Sequence, residues 1–265
     1  SVNVHTGDFR WETDYIFTMN REEIVELADG PYDDVDNRWF IGHPLTSYYN
    51  YVYDGIWQIS DSATIDLYNA NGNNGFAPGK IRVKDIDEND TIDLRDMTVI
   101  GNNVPKFSGG LTNHLYYKGF ELSFFIFFRV GHGINSRDGH YFTMDPRYST
   151  PFLVDYYKPM GTEAENANAV HPAPSNTRDK YEEAMWYREV SFLKLRHVTL
   201  SYNIPRSMLD KANIKSLQLS VQAFNPLLLT NYPFLDPEAI GTGDDKRAPN
   251  GFSTKGWTFS VKVGL

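Results

Sequence analysis

Apolar and polar residues alternate with a period of two along several stretches of this chain, and the last stretch shows it most cleanly. From Lys255 onward, Trp257, Phe259, Val261, Val263 and Leu265 fall on one face of an extended strand, while Thr258, Ser260, Lys262 and Gly264 fall on the other. An apolar strand running to the final residue suits a strand that must close against a partner in lipid, where an open edge is not tolerated. Seven segments carry strand signals: roughly 8–19, 45–57, 106–117, 119–131, 191–203, 213–225 and 255–265. Most have the length of about ten residues that a tilted membrane strand needs.

The faces are sorted by charge. In 8–19, Phe9, Trp11, Thr13, Tyr15, Phe17 and Met19 oppose Asp8, Arg10, Glu12 and Asp14. In 119–131, Phe120, Leu122, Phe124, Ile126, Phe128 and Val130 oppose a row holding Glu121 and Arg129. In 213–225, Leu217, Leu219, Val221 and Ala223 alternate with Ser216, Gln218, Ser220 and Gln222. A lipid-facing row excludes charge because Lys or Arg at the bilayer midplane costs about 2–4 kcal/mol. A soluble core face excludes it too, so connection lengths must separate the two cases. Lys118-Gly119 and the Pro205 connection are short, whereas 58–105, 132–190 and 226–254 are long and rich in Gly, Pro, Asn and Asp. Short turns at one end and long loops at the other is the layout of an outer-membrane barrel, with the long loops extracellular. On this map 20–44 becomes a long periplasmic connection.

Two segments break the pattern. In 191–203, Leu193 and Leu195 alternate with Lys194 and Arg196, but Val198, Leu200 and Tyr202 continue in the opposite phase. One extra residue near Arg196-His197 restores the register, which predicts a β-bulge there. Segment 45–57 shows no clean alternation and is expected to be partly lumenal.

Composition narrows the field. The chain has 265 residues, 17 Tyr, 17 Phe, no cysteine and a net charge of −9. That charge argues against nucleic acid, which requires clustered Lys and Arg. Without cysteine, neither disulfides nor thiolate metal sites contribute. The longest apolar run, Phe124 to Phe128, is far short of the roughly 18 residues of a membrane helix. The mean hydropathy of −0.46 averages strands with polar loops and does not exclude a barrel. The chain does not begin with Met or a signal peptide, and is expected to be a mature or truncated product.

Five stretches, taken in order, resemble one family: 37–58 (NRWFIGHPLTSYYNYVYDGIWQ), 78–107 (PGKIRVKDIDENDTIDLRDMTVIGNNVPKF), 116–128 (YYKGFELSFFIFF), 191–205 (SFLKLRHVTLSYNIP) and 217–238 (LQLSVQAFNPLLLTNYPFLDPE). Together they resemble the C-terminal third of SusC/RagA-type TonB-dependent outer-membrane transporters, over nearly the whole chain. The departures are Leu265, where the family usually ends in Phe, and Asp90 in place of Gly. The resemblance implies an all-β, antiparallel transmembrane barrel of roughly 22 strands, of which this chain holds about 7–9. It implies a bacterial outer-membrane location and an N-terminal plug and TonB box that this sequence does not contain. The remaining strands are expected from upstream of Ser1. The implied partners are a SusD-like surface lipoprotein, the N-terminal remainder of the transporter, TonB, outer-membrane lipid and an oligosaccharide or peptide substrate. The terminal row would be read by the barrel-insertion machinery.

Candidate chemistry is sparse. Asp85, Asp87, Asn89, Thr91, Asp93 and Asp96 fall at positions 1, 3, 5, 7, 9 and 12 of a Ca²⁺-loop spacing. Asp90 stands where that loop needs Gly, and Asp96 is shorter than the usual Glu. The competing reading is a solvated acidic turn held by Asx hydrogen bonds. No cofactor is required. Trp57, Tyr68, Tyr141, Trp186 and Tyr187 are expected in loops as ligand or partner contacts. No paired histidines, nucleophile elbow or phosphate loop occurs, so the chain is expected to be no enzyme. The rival reading is a soluble Ca²⁺-dependent carbohydrate-binding β-sandwich.

Overall fold

The computed structural model describes residues 1–72, 75–135, 155–175, 177–210, 214–234, 236–239 and 253–264. In chain order the strands are β1 (Val2–Thr6), β2 (Phe9–Thr18), β3 (Ser47–Tyr51), β4 (Tyr53–Ile56), β5 (Ile81–Val83), β6 (Met97–Asn102), β7 (Phe107–Tyr117), β8 (Phe120–Asn135), β9 (Tyr187–Asn203), β10 (Ser216–Thr230) and β11 (Gly256–Gly264). The helical pieces are α1 (Ser62–Gly72), α2 (Glu163–Asn166) and α3 (Arg206–Leu209). None is long and apolar enough to cross a membrane.

One antiparallel sheet of seven strands dominates, in the order β1-β2-β7-β8-β9-β10-β11. Its register carries the apolar rows into a single face. Trp257 pairs with Ala223, Ala223 with Val198, Val198 with Phe124, Phe124 with Asn113, and Asn113 with Thr13. Among the described residues this face carries no charge from the short-turn end as far as Leu193, and Glu189 stands on it only near the loop end of β9. Its β11 end is bare, with Phe259 80% exposed and Trp257 70%. The only amide in the row is satisfied within it: Asn113 Oδ1 accepts from Trp11 Nε1 at 2.9 Å and from Thr13 Oγ1 at 2.8 Å. The opposite face carries Arg10, Glu12, His114, Glu121, Lys194, Gln218, Gln222 and Lys262. Apolar outside and polar inside is the alternation of a barrel wall.

Two local devices set the sheet. Lys118 (φ 46°) and Gly119 (φ 85°) form the two-residue β7–β8 turn, the positive-φ pair that matches strand twist. Gly109 and Gly110 of β7 lie under the Phe128 and Phe125 rings of β8, and a Cβ at either would fall 2.5 or 2.6 Å from those rings. Glycine there lets the rings lie flat on the wall.

The bulge stands where the phase slip places it. On β8, Phe125 pairs with His197 and Ile126 with Leu195, leaving Arg196 as the extra residue. On the β10 side Asn225 and Pro226 interrupt the same register, with Asn225 at φ 48°.

Segment 45–57 departs from expectation. It breaks at Val52 into β3, which pairs with β6, and β4, which pairs with β5, both outside the main sheet. Tyrosine has an apolar ring and a polar tip, so the run Tyr48–Tyr53 shows no face that could declare its side. Strand β2 therefore pairs directly with β7, and 19–106 is one connection. The periplasmic placement of 20–44 is corrected with it: that stretch lies at the same sheet end as the other long connections. The short turns β1–β2, β7–β8 and β9–β10 all lie at the opposite end. Strand β1 escaped the sequence pattern because five residues are too few for a period-two test. Strands β8, β9 and β10 also run several residues further toward the loop end than their alternation suggests.

Candidate functional site

Among the described residues, the β2–β7 and β8–β9 connections form a packed body rather than a fringe. Ile56, Trp57, Ile65, Phe76, Ile81, Val83 and Ile92 from the β2–β7 connection share a core with Tyr157, Ala169, Tyr181, Ala184 and Met185 from the β8–β9 connection. Aromatic rings centre it. Trp57 lies 5.5 Å from Phe76 and edge-on to Tyr68 at 6.0 Å, while Tyr181 stacks on Phe76 at 5.4 Å and meets Tyr51 edge-on at 5.0 Å. The body rests on the sheet end where Tyr48 meets Tyr187 at 5.5 Å and Lys106 N donates to Val130 O at 2.9 Å.

Trp57 and Trp186 are thus buried, 3% and 4% exposed, and present no open ring for a ligand in this arrangement. Arg82 and Arg178 cover them at 5.5 and 5.3 Å. Tyr187 is half-buried beneath β6. Tyr68 is half-buried, with its hydroxyl 3.3 Å from Asp85 Oδ2. Tyr141 and Leu265 lie outside the described residues. Trp257, Phe259, Val261 and Val263 form the exposed outer row of β11.

The acidic turn brings together three of its six expected donors. Carboxylate oxygens of Asp85, Asp87 and Asp96 lie within 4.8 Å of one another. Asp96, fully buried, accepts from Ile86 N and Asp93 N, both at 2.8 Å. Asp85 accepts from Asn89 N at 3.3 Å and Asp90 N at 2.9 Å. Asp93 turns away to cap a 3₁₀ turn, and its carboxyl is held below its ordinary value by the Arg95 side chain and backbone N–H. Asn89 bonds Asp87 and Thr91 N instead of converging. Asp90 takes φ 60°, the backbone for which glycine was expected. Asp85 and Asp96 thus brace the turn through backbone N–H groups. Asp87 accepts from Asn89 Nδ2 at 2.7 Å, and the three carboxylates keep lone pairs that a small hard cation could use.

A pH prediction follows from the buried phenols. Tyr53 Oη donates to Val170 O at 2.7 Å, and burial raises its pKa from 10.0 to about 12 against the pull of Arg188 and Arg82. Burial raises Tyr181 as well, with Tyr51 and Asp179 adding to it. A folded-state value above the unfolded one contributes stability below pH 10.0 that is lost as pH rises toward about 12. Tyrosinate absorbance should therefore show a late step near that pH, coincident with loss of near-ultraviolet dichroism from the body. Titration of Tyr53 at its unfolded value would contradict this burial.

With this wall and its loops in view, the comparisons are decisive. No protein-family model matches the chain. TonB-dependent receptor P3 of Formosa agariphila is 28% identical over 261 residues, covering 94% of this chain and 25% of the relative. TonB-dependent receptor SusC of Bacteroides thetaiotaomicron is 26% identical over 240 residues, covering 88% and 22%. The RagAB peptide importer in its open-open state superposes at TM-score 0.69 with 21% identity, over 100% of this chain and 27% of that one. The chain is similar to TonB-dependent receptors that include SusC, and it shares the fold of the RagAB transporter over its whole length.

The segment is an outer-membrane, antiparallel barrel portion similar to theirs. It spans about a quarter of the length of the curated relatives it matches. That share accounts for two unpaired edges among the described residues, β1 and β11, in a fold where an edge in lipid must be closed.

Proposed function

We propose that this segment supplies wall and loops to a non-enzymatic TonB-dependent importer of glycans or peptides. The observation that carries the reading is the apolar face that crosses all seven strands, uncharged among the described residues from the short-turn end to Leu193, with Asn113 satisfied in place. A β-sandwich would bury such a face under a second sheet, and among the described residues no second sheet lies on it. The short-turn end is periplasmic and the loop body extracellular. Further strands, a plug and the TonB contact come from the rest of the transporter.

The loop body is the docking surface for a SusD-like lipoprotein. Supporting this, Val25, Tyr32, Leu94 and Met160 stand 73–99% exposed at that end. RagAB is a peptide importer, which favours peptide as the first class to test.

The test uses the full-length transporter in outer membranes. Unboiled protein in detergent should migrate anomalously on a gel and shift on boiling, and cells carrying it should accumulate labelled oligopeptides or oligosaccharides only when TonB is present. A protein that stays soluble without detergent and shows no heat shift would sink the reading.

A further inference from the structure

Two guanidinium groups share one phenyl ring on the inner wall, and only one of them has a counter-ion. Arg196 lies 4.4 Å from the Phe127 ring centroid and Arg129 lies 5.8 Å from it. Arg196 pairs with Glu238 Oε1, and the neighbouring Lys194 Nζ donates to Asp236 Oδ2 at 2.5 Å. Nearer the short-turn end, Arg10 pairs with Glu12 at 3.1 Å. Arg129 has neither an ion pair nor a hydrogen bond among the described residues. Its contacts are the Phe127 ring and the Phe192 ring, the latter at 5.9 Å. It is half-buried, so it has given up part of its water. Ring faces return only part of that loss, and the group is left short of an anion.

The register leaves the wall beside Arg129 open on one flank. Towards β9 it pairs with Phe192, which is 4% exposed. Towards β7 it pairs with Ser108, and Ser108 pairs with Thr18 of β2, which is exposed. Neither hydroxyl residue repels an anion. Ile16, next to Thr18 on this face of β2 and two strands from β8, is 67% exposed. Adjacent strands lie about 4.8 Å apart, which puts Ile16 roughly 10 Å from the Arg129 strand.

This flank selects among anions. A guanidinium presents a planar fork of donors that matches a carboxylate in a bidentate pair. Two guanidiniums already occupy Phe127, and Phe192 is buried, so neither offers an open ring face for stacking a sugar. The surface on offer is instead the aliphatic side chain of Ile16. A cation with apolar surface within reach suits a peptide end, where a carboxylate and an apolar last side chain leave the same carbon.

We propose that Arg129 anchors a ligand subsite on the inner wall and takes the C-terminal carboxylate of an oligopeptide whose last side chain rests towards Ile16. The inference rests on the importer reading, which makes this face the lumen and peptide the first class of cargo to test.

The test is binding of a defined peptide pair to the full-length transporter in detergent, read by calorimetry. The probes are the hexapeptide Gly-Ser-Gly-Ser-Gly-Leu with a free C-terminal carboxylate and the same peptide ending in an amide. The parent should bind the free acid about tenfold more tightly, the effect of one hydrogen-bonded charge contact. Arg129→Gln should bind both peptides alike. Arg129→Lys keeps the charge without the fork and should retain a smaller preference. No preference in the parent, or the same preference in Arg129→Gln, overturns the subsite, as does a folded parent that binds neither peptide. Trigalacturonate bound through Arg129 by a parent that ignores both peptides overturns the peptide assignment in favour of a uronate. Heat-shift reports folding of each variant. Should Arg129→Gln lose it, Arg129→Lys decides, and a preference undiminished there overturns the fork. Loss of heat-shift in the parent would overturn the barrel reading instead.

Discussion

Replacing Trp57 by alanine in the full-length transporter is expected to open the loop body while leaving the barrel closed. Trp57 is 3% exposed and touches Phe76, Tyr68 and the Arg82 guanidinium. Removing a buried Trp costs about 3–5 kcal/mol through lost transfer energy and the cavity left behind. That is comparable with the whole stability of a small domain. The core it anchors draws on two connections, so both should become sensitive to protease and to hydrogen exchange together. The heat-shift of the barrel should not change, because no residue of the apolar outer face takes part. Trp57→Phe is a sharper control. Trp57 Nε1 is buried with no hydrogen-bond partner among the described residues, so phenylalanine removes an unsatisfied donor while keeping a ring. The Phe variant should lose far less than the Ala variant. Equal loss in both would mean that ring size alone holds the body. Barrel opening in Trp57→Ala would show that body and wall are one cooperative unit.

The second large effect is expected at Phe124. It sits in the middle of the outer row, paired with Asn113 on β7 and Val198 on β9. Phe124→Arg should destabilise the barrel by about 2–4 kcal/mol, the cost of a cation near the bilayer midplane. Its neighbour Ser123 faces the inner wall, flanked by His114 and Thr199. Ser123→Arg should therefore be close to neutral. The folded fraction read by heat-shift over a urea series checks both. A similar loss at both positions would remove the distinction between lipid and lumen on which the wall assignment stands.

These two residues also mark what was legible in the chain. Phe124 belongs to a row whose alternation survives for a full strand, so its side could be read directly. The same holds for the β9 bulge, since Val198, Leu200 and Tyr202 could join the row of Leu193 and Leu195 only by an inserted residue. Trp57 shows the opposite case. It follows a stretch with no clean alternation, and Tyr181 in the same core lies more than a hundred residues away, where no local period can reveal the contact. A tyrosine-rich stretch has no dry face to declare, which is why 45–57 looked like a wall strand. The acidic turn was half legible. Spacing placed Asp85, Asp87 and Asp96 together, but the turning away of Asn89 and Asp93 follows from a local backbone with positive φ at Glu88 and Asp90, which composition does not encode. Asp236 and Glu238 were invisible because their partners, Lys194 and Arg196, lie some forty residues earlier on β9.

The direct pairing of β2 with β7 has a kinetic consequence. Hairpin β7–β8 closes through two residues and can form at once, whereas β2 must find β7 across the whole 19–106 connection. The entropy of closing a flexible loop grows with its length, and non-local pairings form slowly. A body with its own core shortens that search, because β3 pairing with β6 already brings the chain on either side of it close together. On loop length alone, the seam between β2 and β7 is expected to be the last of the sheet's internal joints to close.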